Sequence, residues 1–330
     1  MKKRKGLKIF SVFIMLVIIL VFGTTIVSHV VYKRSLMGTI VESYICISGT
    51  KEKFEDTDKY KAFMEERKIE NEAAYEIPKS VDFDVKVDES DYQGMQTFYL
   101  NENENADCII IYLHGGAYVN QPSSYHWELC NNIAKETGAE IILPIYPKAP
   151  VHTYEETYTL IESLYQDILE KHGDSKIIIM GDSAGGGLAV GICESFAEKD
   201  IKQPDELIVF SPWLDISMEN PNIKGYESAD PMLASYGLIE MGKSWAGDLD
   251  IHDYHVSPIN GDVTKLHNVT MFVGTREIFY PDIKAFYNKL ESVGVTCSLT
   301  IGEGMNHVYP MYPIPEAKEA FQAICKTIER

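Results

Sequence analysis

Short apolar runs recur along the chain between residues 108 and 301, and amphipathic segments of helical length separate them. The runs cover residues 108–113, 140–145, 176–180, 207–211, 270–273 and 296–301. Continuous apolar runs of this length are typical of strands buried on both faces, and the longer segments between them are typical of helices. The pattern therefore predicts an α/β fold with a mostly parallel central sheet flanked by helices.

Weaker patterns surround this core. Alternating apolar and polar residues at 81–87 predict an edge strand, and residues 92–100 predict its partner. Residues 216–255 interrupt the strand and helix rhythm with many apolar side chains, so we expect a helical cap there. Residues 35–80 predict a linker and an N-terminal cap helix, which leaves residues 81–330 as one domain with an ample core.

The longest apolar stretch lies near the N-terminus. Residues 9–32 carry no formal charge, and as a helix they would be about 36 Å long, enough to cross a hydrocarbon core. We therefore expect residues 1–34 to be a basic tip and a transmembrane anchor. The alternative is a cleaved signal peptide, but the stretch is longer than usual and Gly23 to Thr25 is a poor cleavage site.

Charge predicts how this anchor is oriented. Five basic residues precede the apolar stretch and two follow it: Lys2, Lys3, Arg4, Lys5 and Lys8, then Lys33 and Arg34. The positive-inside rule then predicts a single-pass protein of the cell membrane, with a cytoplasmic N-terminus and an extracytoplasmic domain. If the segment is instead cleaved, the protein is secreted.

The domain beyond the anchor is strongly acidic. Seven of the 30 basic residues lie within the first 34, so the remainder carries 23 basic against 49 acidic residues, a net charge of −26. Nucleic acid and anionic lipid surfaces are therefore not expected partners. Six scattered cysteines include no C-x-x-C pair. Buried free thiols are the default for the five that lie in predicted strands and helices, and a disulfide is possible but cannot be paired from the sequence.

One glycine-flanked serine gives the clearest chemical signal. Gly181 to Gly185 reads Gly-Asp-Ser-Ala-Gly, follows the predicted strand 176–180 and precedes a helical segment. A strand, a sharp turn carrying one serine and then a helix form the layout of a nucleophile elbow, which holds Ser183 in a strained conformation with its hydroxyl projecting. Ser183 is therefore a candidate nucleophile.

A second glycine motif follows another predicted strand. His114, Gly115 and Gly116 come directly after residues 108–113. Small residues let backbone amides approach a developing oxyanion closely, so we predict an oxyanion hole built from the amides of Gly115, Gly116 and Ala184. His114 is expected to be structural rather than a base.

The two motifs together resemble a known family. The sequences HGGAY at 114–118 and GDSAGGG at 181–187 resemble the hormone-sensitive-lipase-like branch of the α/β-hydrolases, whose members are mostly serine carboxylesterases. The similarity also covers residues 144–150 and 210–215 and spans about residues 80–325. It implies an α/β-hydrolase fold, a Ser-acid-His order along the chain and no metal or organic cofactor.

The resemblance places the remaining triad members in two loops. His307 lies in a glycine-rich loop after the predicted strand 296–301, where such families carry the catalytic histidine. Glu277 stands three residues after the glycine that ends residues 270–274, where relatives usually carry aspartate. Glutamate can orient the imidazole in the same way. Asp282 is the less favoured alternative acid.

Other histidines give a weaker signal. His252 and His255 form an H-x-x-H pair without a third ligand, so we expect surface residues rather than a metal site.

The predicted function is therefore a membrane-anchored serine carboxylesterase acting on short- to medium-chain acyl esters, with small-molecule or lipid esters as substrates. Two alternatives remain open: a carbohydrate O-deacetylase or amidase using the same triad, and a non-catalytic binding protein of the same fold. The sequence determines neither the physiological substrate nor the oligomeric state.

Overall fold

A computed structural model describes residues 2–330, with side chains described for residue 10, residues 13–18 and residues 20–330. The five N-terminal basic residues that predict the orientation of the anchor therefore lie outside the described side chains.

One eight-stranded sheet forms the centre of the molecule. Its spatial order is β1-β2-β4-β3-β5-β6-β7-β8, and all neighbours from β4 to β8 are parallel, whereas β1 with β2 and β2 with β4 are antiparallel. The strands are β1 Val87–Tyr92, β2 Met95–Leu100, β3 Cys108–Leu113, β4 Glu140–Pro144, β5 Lys176–Asp182, β6 Glu206–Phe210, β7 Val269–Gly274 and β8 Cys297–Gly302. The predicted mostly parallel α/β fold is confirmed.

Helices precede β1, separate the strands from β3 to β8 and follow β8. They are α1 Lys2–Val30, α2 Leu36–Ser48, α3 Thr50–Glu55, α4 Thr57–Glu72, α5 Ser124–Thr137, α6 Tyr154–Lys171, α7 Ser183–Glu198, α8 Ile223–Glu227, α9 Ser235–Ala246, α10 Tyr280–Ser292 and α11 Pro315–Ile328. Because side chains alternate along a strand, Ile109 and Ile111 of β3 join one core cluster and Ile110 and Tyr112 join the other.

The predicted edge strand at 81–87 is wrong. The first strand begins only at Val87, and residues 82–86 run as irregular chain beside α5. The amide of Asp84 donates to the side chain of Asn131 on α5 at 2.8 Å, and Phe83 and Val85 pack against the core. The apolar alternation thus results from packing against a helix rather than from pairing in the sheet.

Two helical segments lie beside the carboxyl ends of the strands. Residues 216–255 contain α8 and α9, and residues 35–80 contain three helices, α2 to α4, where one helix and a linker were predicted. Trp245 of α9 stacks on Tyr118 with ring centroids 4.5 Å apart. The cap is therefore packed directly against the turn that follows β3.

Helix α1 carries an apolar segment long enough to cross a membrane. The segment Phe13–Val30 has a mean hydropathy of 2.5 and only 6% of it is buried in the protein. Its length and composition are those of a membrane span or of an N-terminal signal sequence.

Candidate active site

Ser183 lies at the junction of β5 and α7, in the sharp turn that the sequence predicts. Its φ is +51°, in the left-handed region that costs energy for a residue with a side chain. The turn also brings Gly185 against the end of β3, where an added Cβ would lie 2.0 Å from the carbonyl oxygen of Leu113. Only glycine permits this approach, which brings the start of α7 against the end of β3.

The structure brings Ser183, His307 and Glu277 together. His307 Nε2 lies 2.9 Å from Ser183 Oγ, and His307 Nδ1 donates to Glu277 Oε2 at 2.7 Å. Because the carboxylate can only accept, the proton of neutral His307 stays on Nδ1 and leaves Nε2 free to accept from the serine hydroxyl. The three side chains are at most 8% exposed, so water screens these contacts little.

Glu277 is held from its other side as well. Its Oε1 accepts from the hydroxyl of Ser211 at 2.8 Å and from the amide of Gly274 at 2.6 Å. The Ser211 hydroxyl oxygen in turn accepts from the amide of Val308 at 3.0 Å, next to His307. Ser211 therefore links the acid loop to the histidine loop. The sequence signal for it was weak: a polar residue directly after a buried strand, at the end of the sheet where sites form.

The electrostatic setting of His307 favours its protonated form. Burial acts against a charged imidazole, but the hydrogen bond and negative charge of Glu277, with smaller effects of Asp230 and Asp182, outweigh it and raise the pKa of His307. An imidazole with a raised pKa accepts the serine proton more readily, and its cation is stabilised where it forms.

Asp282, the alternative acid, lies elsewhere. It lies in the first turn of helix α10 and accepts from the side chain amide of Asn220 at 2.7 Å. Burial raises its pKa to about 6, opposed by the Asn220 bond. The sequence offered Glu277 and Asp282 for the position beside the histidine, and Glu277 is the carboxylate that lies there.

The predicted oxyanion donors need one correction. The amide of Gly115 donates to Asp182 Oδ1 at 2.9 Å, so it is already engaged by a side chain of the protein. In the described part of the chain, no acceptor is found for the amides of Gly116, Ala117 and Ala184. Gly116, Ala117 and Tyr118 all have positive φ, at +121°, +55° and +62°. This unusual run turns the backbone after β3 so that Gly116 and Ala117 line the pocket.

Asp182, next to the nucleophile, is a buried structural carboxylate. It accepts from the Tyr112 hydroxyl at 2.8 Å and lies 3.3 Å from His126 Nε2. Burial disfavours its charge, but His126, Tyr112 and the amide of Gly115 together lower the pKa of Asp182. The ionised side chain therefore ties the turn after β3 to the serine turn.

His114 is structural, as expected. Its Nδ1 lies 2.7 Å from the Gly115 carbonyl, and its ring stacks on Tyr146 with centroids 4.5 Å apart. Burial, with the nearby positive charge of Lys148, lowers the pKa of His114 well below its usual value.

A pocket of about 360 Å³ opens beside Ser183. Its wall is mainly apolar and is built from helices α2 and α3, the turn after β3, the cap and the histidine loop. The residues lining it include Val41, Tyr44, Ile45, Phe54, Gly116, Ala117, Ser183, Met232, Leu233, Leu238, His307, Val308, Met311 and Tyr312. Such a wall suits the apolar part of a small ligand.

One buried aspartate of the cap was missed by sequence reasoning. Asp230 accepts from the amides of Met232 and Leu233 at 2.8 Å and from the amide of Ile278 at 3.0 Å. Because Ile278 follows Glu277, these bonds join the cap to the acid loop. Burial raises the pKa of Asp230 to about 6, opposed by His307 and by the backbone donors.

The remaining candidates lie away from the pocket. His252 and His255 bond to Asp250 and Asp253, the carboxylates two residues before each of them. Within residues 2–330, no group of three or more His, Cys, Asp or Glu side chains is placed to hold a metal ion. All six cysteines are free, and Cys46 on α2 is exposed.

Comparisons with known proteins agree with this architecture. A family model described as an alpha/beta hydrolase fold matches residues 110–311. An esterase of Acinetobacter venetianus is 30% identical over 237 residues, which are 71% of this chain and 78% of the relative. An acetyl-hydrolase of Streptomyces hygroscopicus is 24% identical over 216 residues, covering 64% of this chain and 72% of the relative.

Solved structures give the same result. A candidate esterase from Staphylococcus aureus superposes with a TM-score of 0.81 and 30% identity, covering 86% of this chain and 96% of the other. A hormone-sensitive-lipase homologue, EstE7 from a metagenome library, has a TM-score of 0.73 and 25% identity, covering 88% and 97%. The chain therefore belongs to the α/β-hydrolase family, in the branch of carboxylic ester hydrolases that resemble hormone-sensitive lipase.

Proposed function

We propose that the protein is a serine carboxylesterase that hydrolyses short- to medium-chain acyl esters through a Ser183-His307-Glu277 triad. The observation that carries the proposal is the position of His307, 2.9 Å from the Ser183 hydroxyl and 2.7 Å from Glu277. A serine hydroxyl is a weak nucleophile unless a base removes its proton, and this arrangement supplies the base and its orienting group.

In the first half of the reaction, Ser183 Oγ attacks the ester carbonyl carbon while its proton passes to His307 Nε2. The tetrahedral intermediate collapses, its bond to the alcohol oxygen breaks, and His307 returns the proton to the leaving alcohol. Water then attacks the acyl-enzyme with His307 again as base, which releases the acid and restores Ser183. In both halves Glu277 accepts a hydrogen bond from His307 Nδ1 and so stabilises the imidazolium.

For the oxyanion we propose the amides of Gly116, Ala117 and Ala184. Support comes from their lack of acceptors within residues 2–330 and from the engagement of the Gly115 amide with Asp182. Ala184 is also the second residue of α7, whose N-terminal amides and dipole favour negative charge.

The pocket supports an ester with an apolar acyl chain over an acetylated sugar. The pocket has a volume of about 360 Å³ and a mainly apolar wall, which suits an acyl chain. A carbohydrate O-deacetylase would need polar and aromatic surfaces to bind a sugar. The intact serine and histidine contact also weighs against a binding protein without catalysis. The relatives named esterase and acetyl-hydrolase support ester substrates with small acyl groups.

For location we propose a single-pass membrane anchor in residues 1–34, with the N-terminus in the cytoplasm and the enzyme domain outside it. The length and hydropathy of Phe13–Val30 and the excess of basic residues before it support this orientation.

The test is hydrolysis of p-nitrophenyl esters of increasing acyl length by the wild type and by Ser183→Ala. We expect the variant to lose about 10³-fold or more in kcat, since it removes the nucleophile, and the wild type to be fastest on short or medium chains. Folded wild-type protein that turns over none of these esters would contradict the proposal and favour a narrow deacetylase or a binding role.

A further inference from the structure

Helix α2 presents an unpartnered apolar face to the outside of the molecule. Met37, Ile40, Tyr44 and Ile47 are 47%, 51%, 68% and 84% exposed. Their spacing of three, four and three residues places them within about 80° of one side of the helix. A continuous exposed stripe of large apolar residues is costly in water and marks a contact surface.

The face carries no charge, although the domain as a whole is strongly acidic. Glu42 is the one formally charged residue between positions 35 and 48, and it is buried. It is paired with Arg34 and with Arg276, whose Nε and Nη2 atoms each lie 3.0 Å from a Glu42 oxygen. Burial disfavours the charge of Glu42, but the two arginines lower its pKa. The pairing fixes the inner side of α2 and leaves only uncharged side chains outside.

Helix α2 lies next to the carboxyl end of the apolar helix α1, which indicates what covers this face. It begins six residues after the end of α1. The amide of Arg34 donates to the Ser28 carbonyl, and the hydroxyl of Thr39 donates to the Ser28 hydroxyl at 2.8 Å. Helix α2 is thus held at the carboxyl end of the segment Phe13–Val30. When that segment crosses a bilayer, α2 lies at the surface of the same bilayer.

The same helix forms part of the pocket wall. Val41, Tyr44, Ile45 and Ser48 line the pocket, and Tyr44 belongs both to the wall and to the exposed face. The pocket wall and the apolar face therefore share one helix and one residue, Tyr44.

We infer that the exposed face of α2 lies in the lipid surface, so that the pocket opens at the bilayer and receives acyl esters that reside in it. Short amphipathic helices bind membranes in this way, with the apolar side at the boundary between headgroups and acyl chains. The substrate part of this inference rests on the proposed esterase function, and the placement of α2 rests on the proposed membrane anchor in residues 1–34.

Fluorescence quenching tests the placement without any measurement of activity. The full chain with Ile47→Trp is reconstituted in vesicles of phosphatidylcholine and in vesicles of phosphatidylcholine brominated near the headgroup end of the acyl chain. The three native tryptophans are buried, and the wild type supplies their background. We expect the brominated lipid to reduce the emission of the added tryptophan about twofold or more.

Val293→Trp is the matched control. Val293 is 45% exposed and precedes β8, at the end of the sheet opposite the active site, so its tryptophan should be quenched little. Equal quenching in the two variants would overturn the placement. Emission of Ile47→Trp that is equal in the two kinds of vesicle would show that lipid does not reach the face, as when a second copy of the chain covers it, and would overturn the placement as well.

A comparison of two esters tests the substrate class. We expect Ile40→Ser with Ile47→Ser to hydrolyse a long-chain p-nitrophenyl ester held in phosphatidylcholine vesicles about tenfold more slowly. Neither residue lines the pocket, so hydrolysis of p-nitrophenyl acetate in water should stay within about twofold. Ile69→Ser, at an isoleucine 72% exposed on α4, should change neither rate.

The outcomes separate the two proposals. An equal loss on both esters, or no loss on the vesicle-held ester, would overturn the lipid substrate. A wild type that hydrolyses neither ester would instead refute the esterase function, while the quenching result would still decide the placement of α2.

Discussion

At the residue scale, the candidate triad is assembled from three loops at one end of the sheet. Ser183 follows β5, Glu277 follows β7 and His307 follows β8. The strand and glycine-flanked turn predicted Ser183 as the candidate nucleophile, and the family resemblance predicted His307 and Glu277 in the loops after β8 and β7. The sequence did not predict the engagement of the Gly115 amide with Asp182, since the direction of a backbone amide depends on local φ and ψ values.

Replacement of the orienting carboxylate tests the role of Glu277. In Glu277→Gln the amide can donate to His307 Nδ1, which favours the wrong tautomer and removes the charge that stabilises the imidazolium. We expect kcat for a p-nitrophenyl ester to fall about 10³- to 10⁴-fold with little change in KM.

Asp282→Asn is the matched control for this variant. Asp282 is also a buried carboxylate, but its partner is Asn220 rather than His307. Its replacement should leave kcat within a few-fold of wild type. A larger loss in Asp282→Asn than in Glu277→Gln would reverse the assignment of the acid.

The acid limb of the pH profile is a further prediction. Only neutral His307 can accept the serine proton, and its pKa is raised above the usual 6.5 by Glu277 against the effect of burial. Activity should therefore fall as pH decreases through a value above 6.5. In Glu277→Gln, the acid limb of the residual kcat/KM should shift to lower pH, because the negative charge that raises the pKa of His307 is gone. An unchanged limb would show that another group controls it.

At the element scale, the sequence predicted most of the parallel strands because their apolar runs are continuous, as in strands buried on both faces. Strand β8 differs, since it lies at the edge of the sheet and is partly exposed. The start of the edge strand β1 was harder to predict. Residues 82–86 alternate like a strand but pack against α5, and burial against a helix and burial in a sheet leave the same pattern. The three helices in residues 35–80 were only partly foreseen, because tertiary packing rather than strong periodicity holds them.

The contact between β3 and α7 gives a prediction for these elements. An added methyl at Gly185 would lie 2.0 Å from the Leu113 carbonyl and 2.5 Å from that of His114. The backbone must shift to accept it, so Gly185→Ala should destabilise the fold by about 3 kcal/mol and lower Tm by roughly 6–12 °C. Thermal unfolding of the wild type and the variant in the same detergent measures this change in Tm.

Gly225→Ala supplies the control for Gly185→Ala. Gly225 lies on α8 with no described atom within 4 Å of an added Cβ, so alanine there should leave Tm unchanged or raise it slightly. Similar losses in both variants would show that the tight approach at Gly185 is not the cause.

At the scale of the whole molecule, an acidic enzyme domain is joined to an apolar N-terminal helix, and the helices that follow it build part of the pocket. Sequence composition predicted the anchor and the domain separately. It could not show that α2 lines the pocket, because this depends on how the chain folds back over the sheet after residue 34.

Retention of the anchor is tested by intact mass. The protein expressed from the full sequence should be recovered in the membrane fraction at 37.3 kDa, because an uncleaved apolar helix keeps it there. A soluble product that is smaller by the mass of the apolar segment would show that residues 1–34 act as a signal peptide.

The central claim is that Ser183 forms a covalent acyl-enzyme, and labelling tests it most directly. The full-length protein is treated with a p-nitrophenyl phosphonate, whose phosphorus is attacked by activated serines, and the labelled residue is located by peptide mass spectrometry. We predict about one p-nitrophenol released per protein, with the phosphonyl group on Ser183 and none incorporated in Ser183→Ala. Labelling at another residue, or none in folded wild-type protein, would contradict the account.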